Sequence, residues 1–200
     1  MRGLPGINKL IIQMTQIPII ESYWVEENKF LAGEYPGSHG SETTRQRMDM
    51  FLEAGINTFI DLTQPHELVS YESMLIEQAQ IYHINVSYQR FAVRDHSIPS
   101  TEIMTSILNT IDDAIDNGRC VYVHCWGGIG RTGIVVGCYL VRHGATNEQA
   151  VKQVDKLFKT RPANSYYPHS PESKEQIEFI LNWWEAPDTL YKNNQKFCEG

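Results

Sequence analysis

Between Cys125 and Thr132 the chain reads CWGGIGRT, which separates one thiol from one guanidinium by five residues that include Gly127, Gly128 and Gly130. Glycines let a backbone turn tightly enough for successive amides to converge on a single oxyanion. The amides of Trp126, Gly127, Gly128, Ile129, Gly130 and Arg131 are therefore the candidate phosphate-binding set. A helix that starts here adds the positive end of its dipole. The Arg131 side chain contributes a planar fork that takes two oxygens of a phosphate at once, which lysine cannot do in that geometry. The same electropositive surroundings favour the thiolate of Cys125. A thiolate facing a bound ester is a nucleophile aimed at phosphorus, and the simplest reaction is a two-step displacement through a phosphocysteine. Thr132 is expected to donate its hydroxyl to the sulfur, and His124 to orient the loop through hydrogen bonds. The segment is not a nucleotide-binding GxxxxGK[ST] loop, because the lysine is absent.

Expelling an alkoxide or phenolate requires a proton donor near the leaving oxygen. Asp95, in FAVRDHSIPS, is the candidate, because it falls on a loop between an extended run and a helix. Asp61, in the apolar strand FIDLT, reads as a structural hydrogen-bonding residue, and Asp112 and Asp113 as members of a solvated helix face. His39, His66, His83, His96, His143 and His169 form neither HxH nor HExxH, so no metal or other cofactor is implied and chelators should leave activity intact. Cys120 and Cys138 lie in apolar runs and read as core thiols, whereas Cys198 belongs to the tail.

The elements that must carry these residues alternate short β-rich runs with helical patterns, the signature of an α/β domain with a central, largely parallel sheet flanked by helices. Strands are expected at Phe30 to Gly37, Asn57 to Thr63, Ile84 to Val93 and Cys120 to His124. Helices are expected from a Ser41 cap to the Gly55 stop, over Met74 to Gln80, and from Ser100 or Thr101 to Asp116 with Ile103, Ile107, Leu108, Ile111 and Ile115 inward. Further helices follow from Thr132 to Gly144, from Asn147 to about Lys159 and from about Pro171 to Trp184. No repeat or linker divides the chain, so residues 1–200 read as a single domain with loosely held ends, about 1–20 and about 187–200.

With 200 residues, 42% hydrophobic and 20% charged, the chain has the balance of a soluble globular protein. Its net charge of -7 argues against broad nucleic-acid or anionic-membrane binding. The apolar tract near the N-terminus is broken by Gln13, Thr15, Gln16 and Pro18 and is too short to span a bilayer. Four cysteines without metal-ligand spacing point to a reducing cytoplasm.

The pattern His-Cys-x5-Arg-Thr in HCWGGIGRT resembles the signature of the cysteine-dependent protein tyrosine phosphatase superfamily, in its small dual-specificity-type branch. The likeness is strongest from about Asn57 to Gly144. It implies a phosphatase-like domain in which Cys125 is the nucleophile, Arg131 binds phosphate and Asp95, followed by Pro99, is the general acid. Ala92 departs from the Phe-Pro pair that many relatives carry on that loop. The segment SPESKEQIEF resembles one that bears glutamines near the attacking water, with Gln176 as the candidate and Glu172 standing where a catalytic glutamine is expected. A Trp-Pro-Asp acid loop and a separate tyrosine-recognition loop are absent, which implies a shallower cleft for phosphotyrosine and for phosphoserine or phosphothreonine on a protein or peptide. Uncharged Trp126 and Ile129 disfavour highly phosphorylated inositols, and Trp126 either walls the pocket or packs beneath the loop. A phosphoinositide or inositol phosphate phosphatase, a rhodanese-like sulfur transferase and a catalytically silent phosphoprotein-binding module are the competing readings.

Overall fold

Strand formation follows from runs of apolar and β-branched residues that are buried on both faces. Val121–His124, Thr58–Asp61 and Phe30–Gly33 are buried at every position, as central strands of a covered parallel sheet must be. The protein, a computed structural model that describes residues 16–162 and 166–185, runs β1 (Ser22–Glu26), β2 (Phe30–Gly33), α1 (Ser41–Glu53), β3 (Thr58–Asp61), α2 (Glu72–Ile81), β4 (Ser87–Arg90), α3 (Thr101–Asp116), β5 (Val121–His124), α4 (Gly130–Arg142), α5 (Asn147–Phe158) and α6 (Lys174–Leu181). The sheet order is β1-β2-β5-β3-β4. Only the β1–β2 pair is antiparallel. This is the α/β architecture with a largely parallel sheet and flanking helices that the alternating patterns predict.

Alternation along each strand divides the core in two. Phe30, Ala32, Ile60, Val121 and Val123 face one side, where they pack with residues of α3, α4, α5 and α6. Leu31, Phe59 and Tyr122 face the other, against α1 and α2. Pairing register sets Gly33, His124, Asp61 and Arg90 level with one another at the carboxyl end of the sheet. The segments that leave β3, β4 and β5 therefore emerge side by side, the arrangement in which open α/β sheets build their sites. Among the described residues no helix is long and apolar enough to cross a membrane.

Several local expectations are corrected. Strand β1, unread in the sequence, forms a hairpin with β2 through a turn containing Asn28 at φ 61, and buries Tyr23. Ser41 does not cap α1. Gly40 holds the cap position without a side chain, and Thr44 Oγ1 closes the turn by donating to the Gly40 carbonyl at 3.0 Å and accepting from Ser38 N at 3.0 Å. In α3 the inward position expected for Ile103 goes to Met104, which leaves Ile103 exposed. Helix α4 starts at Gly130 rather than Thr132, and α6 is shorter than expected because Ser173 and Gln176 form a capping box at its start. Asp112 is not simply solvated: it holds Arg142 Nη1 at 2.8 Å and pairs with His143. The loosely held ends and Cys198 lie outside the described residues, apart from residues 16–20.

Candidate active site

The loop after β5 is shaped by what happens to its carbonyls. In a trans peptide the C=O of one residue and the N–H of the next point in opposite directions, so a carbonyl held outward turns the following amide inward. His124 Nδ1–H donates to Cys125 O at 3.0 Å, and the Tyr35 amide donates to Trp126 O at 2.8 Å. Arg161 Nη1 donates to both Gly127 O and Gly128 O, each at 3.2 Å. Ile129 O accepts from Ser170 Oγ at 2.7 Å and from the Gly133 amide at 3.1 Å. The amides of Trp126 to Arg131 find no acceptor among the described residues. Gly128 has φ 66, and a Cβ there would lie 2.2 Å from the Gly33 carbonyl carbon, so only glycine fits. A Cβ on Gly130 would meet Glu172 Oε1 at 2.4 Å and Gln176 Nε2 at 2.6 Å.

His124 itself is fully buried. Because a carbonyl can only accept, Nδ1 carries the proton, and Nε2 accepts from Tyr71 Oη at 2.7 Å. Burial pushes the imidazole below its ordinary value, against the pull of the nearby Asp61 carboxylate, which favours this neutral tautomer. Asp61 accepts from Thr63 N at 2.8 Å and Oγ1 at 2.7 Å, from Tyr88 Oη at 2.7 Å and from Arg90 Nη2 at 2.8 Å. These bonds tie the ends of β3 and β4 together.

Arg131 is anchored from two other loops. Glu67, in the segment after β3, accepts from Nη1 at 2.9 Å and from Nη2 at 2.6 Å, a bidentate pair. The Val93 carbonyl also accepts from Nη1, at 3.1 Å. Asp95 Oδ1, in the segment after β4, lies 2.8 Å from Nη2. Burial of Glu67 tends to raise its carboxyl, but the Arg131 and Gln64 N–H donors outweigh that and hold it below the ordinary carboxylate range. Arg131 is shifted upward in turn: burial disfavours its charge, but the Glu67 hydrogen bonds more than offset this.

Cys125, Trp126, Gly127, Ile129, Gly130, Arg131 and Asp95 line one cavity of about 710 Å³. Its rim adds Glu21, Glu34, His96, Arg161, Tyr166, Tyr167 and Glu172. Trp126 is 56% exposed, so it walls the mouth rather than packing beneath the loop. Gln176 is buried against Gly130, with Oε1 accepting from Glu172 N at 3.2 Å and Ser173 N at 3.3 Å, and with Nε2 lacking a partner among the described residues. The expected bond from Thr132 to the sulfur is not formed. Because α4 begins two residues early, Thr132 sits inside its first turn, buried, with Oγ1 unpartnered among the described residues. Glu172, at the position where a catalytic glutamine is expected, lies 3.3 Å from His96 Nδ1.

Three residues at the site escape sequence reading. Glu67 and Ser170 sit in polar loops with no spacing signal. Arg161 lies in the turn three residues after α5 ends and has no spacing signal either; its Cζ sits 4.9 Å from the Phe158 ring centroid. Cys120 and Cys138 are buried as expected, and burial pushes the Cys120 thiol up to about 12. Among the described residues no cluster of three or more histidine, cysteine, aspartate or glutamate side chains offers a metal site.

A family model described as "Polymorphic toxin system, DSP-PTPase phosphatase" matches residues 35–145, more than half of the chain. Protein tyrosine phosphatase domain-containing protein 1 of Mus musculus is 31% identical over 129 residues, which cover 61% of this chain and 17% of that protein. A phosphatidylglycerophosphate phosphatase of Arabidopsis thaliana is 34% identical over 107 residues, which cover 52% of this chain and 30% of the relative. The chain thus spans under a third of the length of either relative. The crystal structure of Tk-PTP in its active form superposes with a TM-score of 0.63 at 20% identity, over 80% of this chain and 93% of that one, a likeness of fold.

Proposed function

The chain belongs to the DSP-PTPase phosphatase family, and from that premise we propose that it hydrolyses phosphomonoesters on proteins, phosphotyrosine first and phosphoserine or phosphothreonine beside it, through a phosphocysteine. The observation that carries this reading is the meeting of Cys125, Arg131 and Asp95, from two separate loops, around one cavity. The inward amides of Trp126 to Arg131 and the Arg131 guanidinium take the three non-bridging oxygens of the ester. Cys125 Sγ forms a bond to phosphorus in line with the leaving oxygen as the P–O ester bond breaks. Asp95 transfers its proton to that oxygen. In the second step water forms the new P–O bond, the S–P bond breaks and the thiolate departs, and Asp95 takes the water's proton. In this reading Gln176, whose Nε2 beside Gly130 has no partner among the described residues, orients that water, and Thr132, in the first turn of α4, stabilises the departing thiolate.

The incoming phosphate must replace the Asp95 carboxylate at Arg131 Nη2. Freed from the guanidinium, the Asp95 carboxylate takes up a proton from solvent beside the ester oxygen and then serves as the acid, so binding and acid placement become one event. The rim supports a protein substrate over a polyphosphorylated lipid or inositol. Glu21, Glu34, Asp95 and Glu172 line the cavity, with Arg131 and Arg161 as its cationic side chains, so phosphates beyond the scissile one would face carboxylates. Trp126 and Tyr167 offer aromatic faces to a phosphotyrosine ring. The name of the Arabidopsis relative supports the lipid reading. Free thiols at Cys120, Cys125 and Cys138 suit work in a reducing compartment such as the cytoplasm.

Phosphotyrosine, phosphothreonine and phosphoinositide substrates, assayed together on wild type and Cys125→Ser, test this function. Turnover of phosphopeptides by wild type, lost in the variant, is the expected result. Turnover confined to phosphoinositides transfers the substrate to lipid, and phosphopeptide binding with no turnover by wild type leaves only a binding module.

A further inference from the structure

Five consecutive carbonyls, Cys125 to Ile129, are held by donors outside the loop. Three of those carbonyls accept from two side chains, Arg161 and Ser170, that lie beyond the matched family region of residues 35–145, and of the three only Ile129 O has a second donor, the Gly133 amide at 3.1 Å. Nη1 of Arg161 carries two hydrogens and gives one to each of Gly127 O and Gly128 O. By the geometry of the trans peptide, these two bonds turn the amides of Gly128 and Ile129 inward, and the Ser170 bond to Ile129 O does the same for Gly130. The guanidinium is rooted over the Phe158 ring of α5, and Ser170 is almost fully buried, so both donors are fixed by packing.

We propose that Arg161 and Ser170 are positioning residues that aim three of the loop amides at the oxyanion. The inference rests on the phosphatase reading above. Glycines make the loop able to adopt the cradle but do not select it, since a Gly-rich segment populates many conformations. Two C-terminal donors make that selection, one from the turn after α5 and one from the segment before α6. Arg161 acts on substrate through the backbone, and its charge at the rim is a separate contribution.

Orthovanadate inhibition, with kcat and KM for 4-nitrophenyl phosphate, separates the two contributions in wild type, R161Q, R161K and S170A. R161Q is expected to weaken orthovanadate about tenfold or more, the worth of one charge-assisted hydrogen bond, and S170A about threefold at unchanged net charge. R161K keeps the charge, but its nitrogen sits one bond closer to the backbone and falls short of the two carbonyls, so it should remain close to R161Q. Affinity within twofold of wild type in R161Q, or full recovery in R161K, would overturn the proposal, the second outcome assigning the effect to charge. Should R161Q fail to fold, S170A and R161K decide it. A wild type that neither turns over substrate nor binds orthovanadate sinks the phosphatase reading and this proposal with it, whereas an active wild type matched by R161Q and S170A sinks the proposal alone.

Discussion

Asp95 Oδ1 sits 2.8 Å from Nη2 of Arg131, the same nitrogen that Glu67 Oε1 holds at 2.6 Å on its other side. One guanidinium therefore links the segment after β3, the segment after β4 and the loop after β5. Glu67 and Asp95 differ in exposure: the Glu67 side chain is 12% exposed and that of Asp95 40%. The inner carboxylate is a fixed anchor, and the outer one is the partner that a phosphate can displace.

Replacement of Asp95 by alanine is expected to have opposite effects on binding and turnover. Without the carboxylate, orthovanadate or phosphate meets no competitor at Nη2, and its affinity should rise several-fold. Turnover of an alkyl phosphate should fall by about 10²–10⁴, the usual worth of a general acid, and turnover of 4-nitrophenyl phosphate, whose leaving group needs little protonation, should fall much less. Equal losses on both substrates would move the acid to another residue.

Glu67→Gln should damage the site through Arg131. An amide keeps the shape of the carboxylate but not its charge, so the fork loses its bidentate anchor and kcat/KM is expected to fall roughly 10- to 100-fold, as displaced positioning groups cause. Stability should drop by about 1.5–3 kcal/mol, the worth of hydrogen bonds to a charged group, because Asp95 and the Val93 carbonyl still face the guanidinium. Steady-state kinetics and urea unfolding of the same preparation check both.

Acid should destabilise the protein in two stages. Burial holds the His124 imidazole below its ordinary value, so the contribution of the neutral ring is present above about 6.5 and is lost as pH falls through the depressed value. For Asp61, burial pushes the carboxyl up, but the His124 ring and the Thr63 and Tyr88 hydrogen bonds bring it below the ordinary range. Its contribution is present above about 4 and is lost as pH falls further. Urea unfolding between pH 8 and pH 3 should show both limbs, and Asp61→Asn should be less stable at neutral pH yet lose less below pH 4. An unchanged lower limb in that variant would assign it elsewhere, with Glu67 the next carboxylate to test.

Thiol chemistry should distinguish three buried cysteines, because Cys125, though only 3% exposed, opens on the cavity, whereas Cys120 and Cys138 do not line it. Iodoacetamide on the native protein at pH 7 is expected to modify Cys125 and to spare Cys120, whose thiol is pushed up to about 12, and Cys138, which is fully buried. Peptide mapping by mass spectrometry reads the sites, and orthovanadate should protect Cys125. Faster labelling of Cys120 or Cys138 than of Cys125 would contradict the arrangement described.

Chemistry concentrated within one strand, one loop and one helix turn was legible without coordinates. Cys125, the glycines and Arg131 are contiguous, and local steric rules relate their spacing to a cradle. The buried parallel strands were legible for the same reason, since each carries its own apolar run. Strand β1 was not, because five residues of mixed polarity make a strand only when β2 lies beside them. Glu67, Arg161 and Ser170 carry no local mark either. Their meeting at Arg131 and along the loop carbonyls depends on the register that sets Gly33, His124, Asp61 and Arg90 level, and on the return of the chain through α5 toward α6. The amino-acid sequence by itself determined which groups could perform the chemistry, because the loop is a local structure. Which groups hold them in place was decided only by the tertiary structure, because hydrogen bonds between residues distant along the chain form only after the sheet has brought their loops to one edge.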